Sequence, residues 1–232
     1  MLFSPQLPLP LEPRRALRLD DFVAGPNGAV VAAINDLATQ EDQSVFLYGP
    51  SGSGKTHLLS AACIRARESG RSAFYLKLSD LDDDAVQSLR GLEQVGLVCL
   101  DDLDAVAGNA RWEEALFHFI NRLRAERRCL LVASRQRLRR LPLELPDLGS
   151  RLAWGLRLEL LPLDDAAKLR VLEVHAESLG LTLAPELGRY LLSRGPRDMA
   201  SLLALVSRLQ QAAFQDKRPL TVPLLRQLLA ER

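Results

Sequence analysis

Through the first 160 positions, apolar residues gather into short unbroken runs. Between the runs lie longer stretches whose apolar positions recur with the spacing of a helix. SVFLY at 44–48, SAFYLKL at 72–78, GLVCLDD at 96–102, CLLVAS at 129–134 and GLRLEL at 155–160 read as strands. The runs at 96–102 and 129–134 read as buried strands, whereas 155–160 alternates. The intervening stretches read as helices: 27–39 with Asn27 as candidate cap, 56–70 stopped by Gly70, 81–92 with an acidic first turn, and 112–127. A linker rich in leucine, proline and arginine runs to 147, and 148–152 reads as one helical turn. Strands alternating with helices predict an α/β domain over 22–160, its mostly parallel sheet covered on both faces. After 162 the strand pattern stops. Helices expected at 164–179, 184–193, 196–213 and 221–230, broken at Gly180, Pro185, Gly195 and Pro219, make 161–232 a small all-helical domain. Ahead of both, the prolines at 5, 8, 10 and 13 keep residues 1–21 extended, because they lack amide donors and bias their neighbours away from helix.

Charge and cysteines narrow the function. With 30 basic and 29 acidic residues, net charge makes no case for non-specific nucleic-acid binding. Arg135, Arg137, Arg139 and Arg140 form a local basic stretch, read here as a solvated loop. Cys63, Cys99 and Cys129 lie in apolar runs, are odd in number and fit no metal spacing, so they read as buried free thiols in a reducing compartment. No apolar run is long enough to cross a bilayer, and no basic region precedes an apolar one at the N-terminus. These features predict a cytoplasmic protein with no membrane partner.

The chemistry centres on GPSGSGKT. Gly49, Pro50, Ser51, Gly52, Ser53, Gly54, Lys55 and Thr56 complete a phosphate-loop pattern directly between a strand and a helix. The glycines let backbone amides turn toward a phosphate, Lys55 would reach the β and γ phosphates, and the Thr56 hydroxyl would ligate Mg2+. Asp101 and Asp102 end the 96–102 strand, where ligands of open α/β sheets sit. Asp101 is placed to hold Mg2+ and Asp102 to orient an attacking water. Capping by Asp101, Asp102 or Asp104 is the alternative. Ser134 and Arg135 end the next strand; the residues leave open whether they sense a γ phosphate or begin the basic linker.

Together with Arg151 in GSRLAWG and Arg197 in GPRDMASL, these residues resemble the AAA+ ATPases of the DnaA replication-initiator group over about 14–232. Within the group the chain is most similar to the Hda-type regulators, because only enough length for a lid follows the ATPase core and about twenty residues precede it. The resemblance implies an AAA+ P-loop domain followed by a helical lid, with ADP or ATP and Mg2+ as cofactors. It implies that Arg151 is an arginine finger for a neighbour's nucleotide, that Arg197 is a lid arginine on the bound nucleotide, and that Asn27 flanks the adenine. Arg135 departs from the group, which usually has an acidic residue there, so weak or no ATP turnover by the chain itself is expected. Trp154 belongs to the motif without a chemical role derivable from it.

The tail then acquires a meaning. QLPLPL resembles the motif by which partners bind the replication sliding clamp, the β subunit of DNA polymerase III, with Gln6, Leu7, Leu9 and Leu11 as contacts. Prolines pre-extend the segment and reduce the entropy lost on docking. The expected function is negative regulation of replication initiation: the chain binds the DNA-loaded clamp and stimulates hydrolysis of DnaA-bound ATP in trans. DNA is then a partner only through the clamp, and a homo-oligomer is left open. A related AAA+ helicase loader or remodelling adaptor is the alternative reading.

Overall fold

A computed structural model describes residues 18–196, 198–216, 221 and 223–226. Among these, β1 (Ser44–Tyr48), β2 (Ala73–Lys77), β3 (Leu97–Asp101), β4 (Cys129–Ser134) and β5 (Leu156–Glu159) form one parallel sheet in the order β2-β3-β4-β1-β5. The two-residue period of the strands divides their side chains between two cores. Val45, Leu47, Leu97, Cys99, Leu131 and Ala133 point to one face and meet α1 (Gly28–Thr39) and α2 (Lys55–Glu68). Phe46, Val98, Leu100, Leu130 and Val132 point to the other and meet α3 (Ala110–Ala125) and α4 (Pro146–Leu152). The expected double-covered sheet is therefore present, with all three cysteines buried and free as read.

The expectation of one helix over 81–92 is corrected. The chain instead makes 3-10 turns at Leu78–Asp80, Asp83–Leu89 and Leu92–Gln94. Contacts to α3 explain the difference. The Trp112 indole donates to the Asp82 carbonyl, Asn109 to the Asp83 carboxylate, and Arg111 pairs with Asp84. The acidic residues that would favour a helix start are spent on a neighbour. Asn109, not a residue nearer 112, caps α3 by accepting from the amides of Arg111 and Trp112.

After β5 come α5 (Asp165–Ser178), α6 (Pro185–Arg194) and α7 (Met199–Asp216), which share an apolar core including Leu172, Leu187, Leu191, Leu205 and Leu209. Residues 223–226 are helical and Leu224 and Leu225 join that core. The rest of the helix expected at 221–230 lies outside the described residues, as do Gln6, Leu7, Leu9, Leu11 and Arg197. Among the described residues no helix is long and apolar enough to cross a membrane.

Candidate functional site

The chain leaves β1, next to β4 and β5 in the sheet, and turns at once into the glycine-rich loop. Gly52 and Gly54 take the left-handed backbone at φ of 74° and 101°. A Cβ on Gly54 would come within 2.7 Å of the Phe22 ring, so only glycine serves there. Gly49 is required for a different reason: a Cβ would meet the Leu160 carbonyl at 2.5 Å. The Lys55 ammonium is buried and donates to the carbonyls of Gly49 (2.7 Å) and Pro50 (2.9 Å). Burial pulls its pKa down, against the opposing pull of Asp101, Asp104 and Asp102.

Asp101, at the end of β3, is fully buried and makes three hydrogen bonds. Thr56 and Tyr75 donate their hydroxyls to Oδ2 at 2.6 and 2.9 Å, and the Asp102 amide donates to Oδ1 at 2.9 Å. Burial, followed by the charge of Asp101, raises the Tyr75 pKa, which keeps the phenol a donor. The next residue turns the strand sharply, with Asp102 at φ 55°. Its carboxylate accepts from Ser79 at 3.0 Å and lies 3.8 Å from Arg135 and 4.0 Å from Lys77. Asp104 does not cap a helix. It accepts from the Ser134 hydroxyl at 3.0 Å and the Arg135 amide at 2.6 Å, tying the ends of β3 and β4 together.

Lys55, Thr56, Lys77, Asp102 and Arg135 line a cavity of about 410 Å³, while Asp101 is buried beside Thr56 and off its lining. Ser51 to Thr56 form its floor, Phe22 and Val23 one wall, and Val171, Met199 and Leu203 from the helical domain another. The residues fit a bound nucleotide. The loop glycines hold backbone that other residues resist, and the buried Ser53 hydroxyl has no partner among the described residues. Thr56 and Asp101 are the residues that would hold Mg2+, and the ion would supply charge neutralisation at the phosphates. Asn27 does not line this cavity. Nor does its side chain cap α1; it donates to the Leu161 carbonyl at 3.0 Å and accepts from its amide at 2.8 Å, fastening α1 to the end of β5.

Three participants escaped the sequence reading. Tyr75 sits in an ordinary strand pattern, and only the sheet register puts it beside Asp101. Phe22 and His57 pack edge to face at 5.2 Å, and His57 meets the Arg18 carbonyl at 3.0 Å, pinning the segment before α1 onto α2. A histidine following the loop threonine carries no signal for that contact.

Arg151 lies elsewhere. Strand β5 begins at Leu156 and runs parallel to β1, so Arg151 is at the sheet end opposite the phosphate loop, about 17 Å away by the length of a five-residue strand. Leu148 and Leu152 bury one side of α4, and fully buried Glu113 accepts from the Gly108 and Leu145 amides (2.7 Å each), fixing where α4 starts. Arg151 is partly exposed as a residue. Its guanidinium stands 3.9 Å from the Trp154 ring centroid and 5.4 Å from that of Phe117, and its buried Nε has no hydrogen-bond partner among the described residues.

The family models agree with this division. Residues 14–159 match the bacterial DnaA ATPase domain, and residues 165–229 match the lid domain of Hda. Among solved structures, domain III of the Thermotoga maritima replication initiation protein DnaA is similar at 21% identity and a TM-score of 0.85, over 96% of this chain and 98% of that one. AMPPCP-bound DnaA from Aquifex aeolicus matches at 24% identity and 0.72, over 87% and 67%. A single-residue variant of Thermotoga maritima RuvB matches at 18% and 0.68, over 92% and 71%. At these identities the likeness is one of fold.

Proposed function

The chain belongs to the bacterial DnaA family of AAA+ ATPases and carries the lid domain of Hda, and from that premise we propose that it inactivates DnaA by completing the initiator's own ATP site. A DnaA-type ATPase body joined to an Hda lid is the makeup of a regulatory inactivator of DnaA, a negative regulator of replication initiation. The fold binds a nucleotide. In the proposed reading that nucleotide is ADP or ATP with Mg2+, held by Lys55, Thr56 and Asp101, and it orders the chain for docking. The substrate is the ATP on DnaA. Water attacks the γ phosphorus, the bond to the β–γ bridging oxygen breaks, phosphate leaves, and DnaA is left inactive with ADP. Arg151 offsets the negative charge that develops during this transfer.

The observation that carries the reading is the state of Arg151. Arg151 is a partly exposed residue, has no carboxylate partner among the described residues and precedes β5, at the end of the sheet away from the chain's own phosphate loop. In the proposed reading it serves a neighbour's nucleotide. The test is ATP turnover by DnaA with and without this protein. Added wild-type protein raises turnover, and Arg151→Ala does not. Full stimulation by Arg151→Ala would refute the role.

Recruitment is the second part of the proposal. The 6–11 segment would dock on the sliding clamp, with Gln6 at a polar rim and Leu7, Leu9 and Leu11 in an apolar groove. Retention on DNA-loaded clamp is expected to fall in Gln6→Ala, and equal retention removes Gln6 as an anchor.

A further inference from the structure

Trp154 is 45% exposed although it is one of the two largest side chains in the protein. It belongs to neither sheet core. The cations around it account for its place. Arg124, in the last turn of α3, and Arg151, in the last turn of α4, each stand 3.9 Å from the indole centroid. Neither has a carboxylate partner among the described residues. The nearby cavity of about 530 Å³ is lined by Trp154, Arg124 and Arg128, and its carboxylate, Asp42, is 3.5 Å from Arg127. Arg128 adds a buried Nε with no partner among the described residues.

We propose that Trp154 is the positioning residue for Arg151, holding its guanidinium on an indole plate that Arg124 also packs, so that Arg151 is preset for an anionic group of the docked partner. This rests on the reading of Arg151 as acting in trans. The local chain supplies the geometry. Helix α4 ends at Leu152, and the Trp154 amide donates to the Arg151 carbonyl at 3.2 Å, a turn that brings residues three apart together. Gly155 then passes so close to β1 that a Cβ would lie 1.9 Å from the Ser44 carbonyl oxygen, which fixes the backbone just after Trp154. The spacing arginine-x-x-tryptophan-glycine is thereby explained as one device. Aromatic faces attract guanidinium groups, so the indole holds the two cations near each other without neutralising them. Their mutual repulsion remains until an anion arrives, and the free energy released then favours the docked state. An arginine fixed by a plate also loses less side-chain entropy on meeting its target.

Phosphate release from DnaA-bound ATP, measured against increasing concentrations of this protein, separates the alternatives. Trp154→Leu keeps an apolar side chain but no π face, and it lowers the maximal stimulated rate about 10-fold while the half-saturating concentration moves less than about 3-fold. Trp154→Phe restores the rate to within about 3-fold of wild type, and Arg124→Ala loses about 3- to 10-fold. A wild-type rate in Trp154→Leu, equal rates in the Leu and Phe variants, or a loss confined to half-saturation overturns the proposal. Arg151→Ala in the same assay distinguishes the two layers. If it still stimulates, the trans reading fails; if it is inactive while Trp154→Leu is normal, only the plate fails. A second readout needs no partner. In protein labelled with 5-fluorotryptophan, Arg151→Ala and Arg124→Ala each shift the 19F resonance of Trp154 and leave that of Trp112 in place. No shift of the Trp154 resonance overturns the stack.

Discussion

The two ends of the sheet treat charge in opposite ways. At the phosphate-loop end each charged group named above has a partner in the chain: Lys55 on loop carbonyls, Asp101 on three donors, Asp104 on Ser134 and Arg135. At the other end Arg124 and Arg151 gather on Trp154 with no carboxylate partner among the described residues. A site that satisfies itself folds ready to take a small ligand. A site that leaves cations uncompensated is complete only when another molecule brings the anion.

The strongest way to break this contrast is a pair of substitutions. Lys55→Ala should weaken ADP binding by this chain at least about 100-fold, because it removes the charge-assisted contact to phosphate. Arg151→Ala should leave ADP affinity within about 2-fold and lower stimulated DnaA hydrolysis by about 1000-fold. Titration with a fluorescent ADP beside the hydrolysis assay reads both. One substitution damaging both activities would show that the ends are not separable.

Stability sharpens the comparison next. Asp101→Ala strands the donors of Thr56, Tyr75 and the Asp102 amide, and should cost about 3 kcal/mol in chemical denaturation. Exposed Arg124→Ala should stay within about 0.5 kcal/mol. Equal losses would mean that the arginine end is also built for its own fold. Gly155→Ala is intermediate: its Cβ overlaps the Ser44 carbonyl, so β5 must move away from β1 at a cost of about 2 kcal/mol. An unchanged melting temperature would show that this strand edge yields freely.

The smallest effect concerns pH. Burial lowers the pKa of His57 below 6.5, and the hydrogen bond from its ring to the Arg18 carbonyl, then Asp21, oppose the shift only in part. The unfolded chain therefore takes up this proton before the folded one does. The stability is present above the unfolded value of 6.5 and is lost as pH falls through the lower folded value. His57→Gln, which can still donate to that carbonyl, should flatten the loss of stability between about pH 7.5 and about pH 5.5. An identical slope in the variant would assign the loss to other groups.

Much of the sheet was legible because buried parallel strands write long apolar runs, and SVFLY and CLLVAS match β1 and β4 residue for residue. The phosphate loop was legible because its eight residues, 49–56, are contiguous in the sequence. What escaped depends on contacts between distant segments. Asp82 to Asp84 read as a helix start until Trp112, Asn109 and Arg111 claim them. Tyr75 joins Asp101 through strand register, which no local window contains. Arg124 and Arg151 are 27 positions apart in the sequence and meet only on Trp154. Arg151 stood out only through its GSRLAWG motif, and nothing local to Arg124 marks it beyond an ordinary helix-end cation.

The walls of the cavity bring together three remote parts of the chain beside the strand-end residues Lys77, Asp102 and Arg135: Phe22 and Val23, the loop at 51–56, and Val171, Met199 and Leu203. A bound nucleotide is consequently a rivet through all three, joining the segment that leads in from the tail to the terminal helices. Cut between Leu161 and Asp164, the two halves would cling to each other more tightly with the ligand than without it, so cargo and clasp are here one molecule.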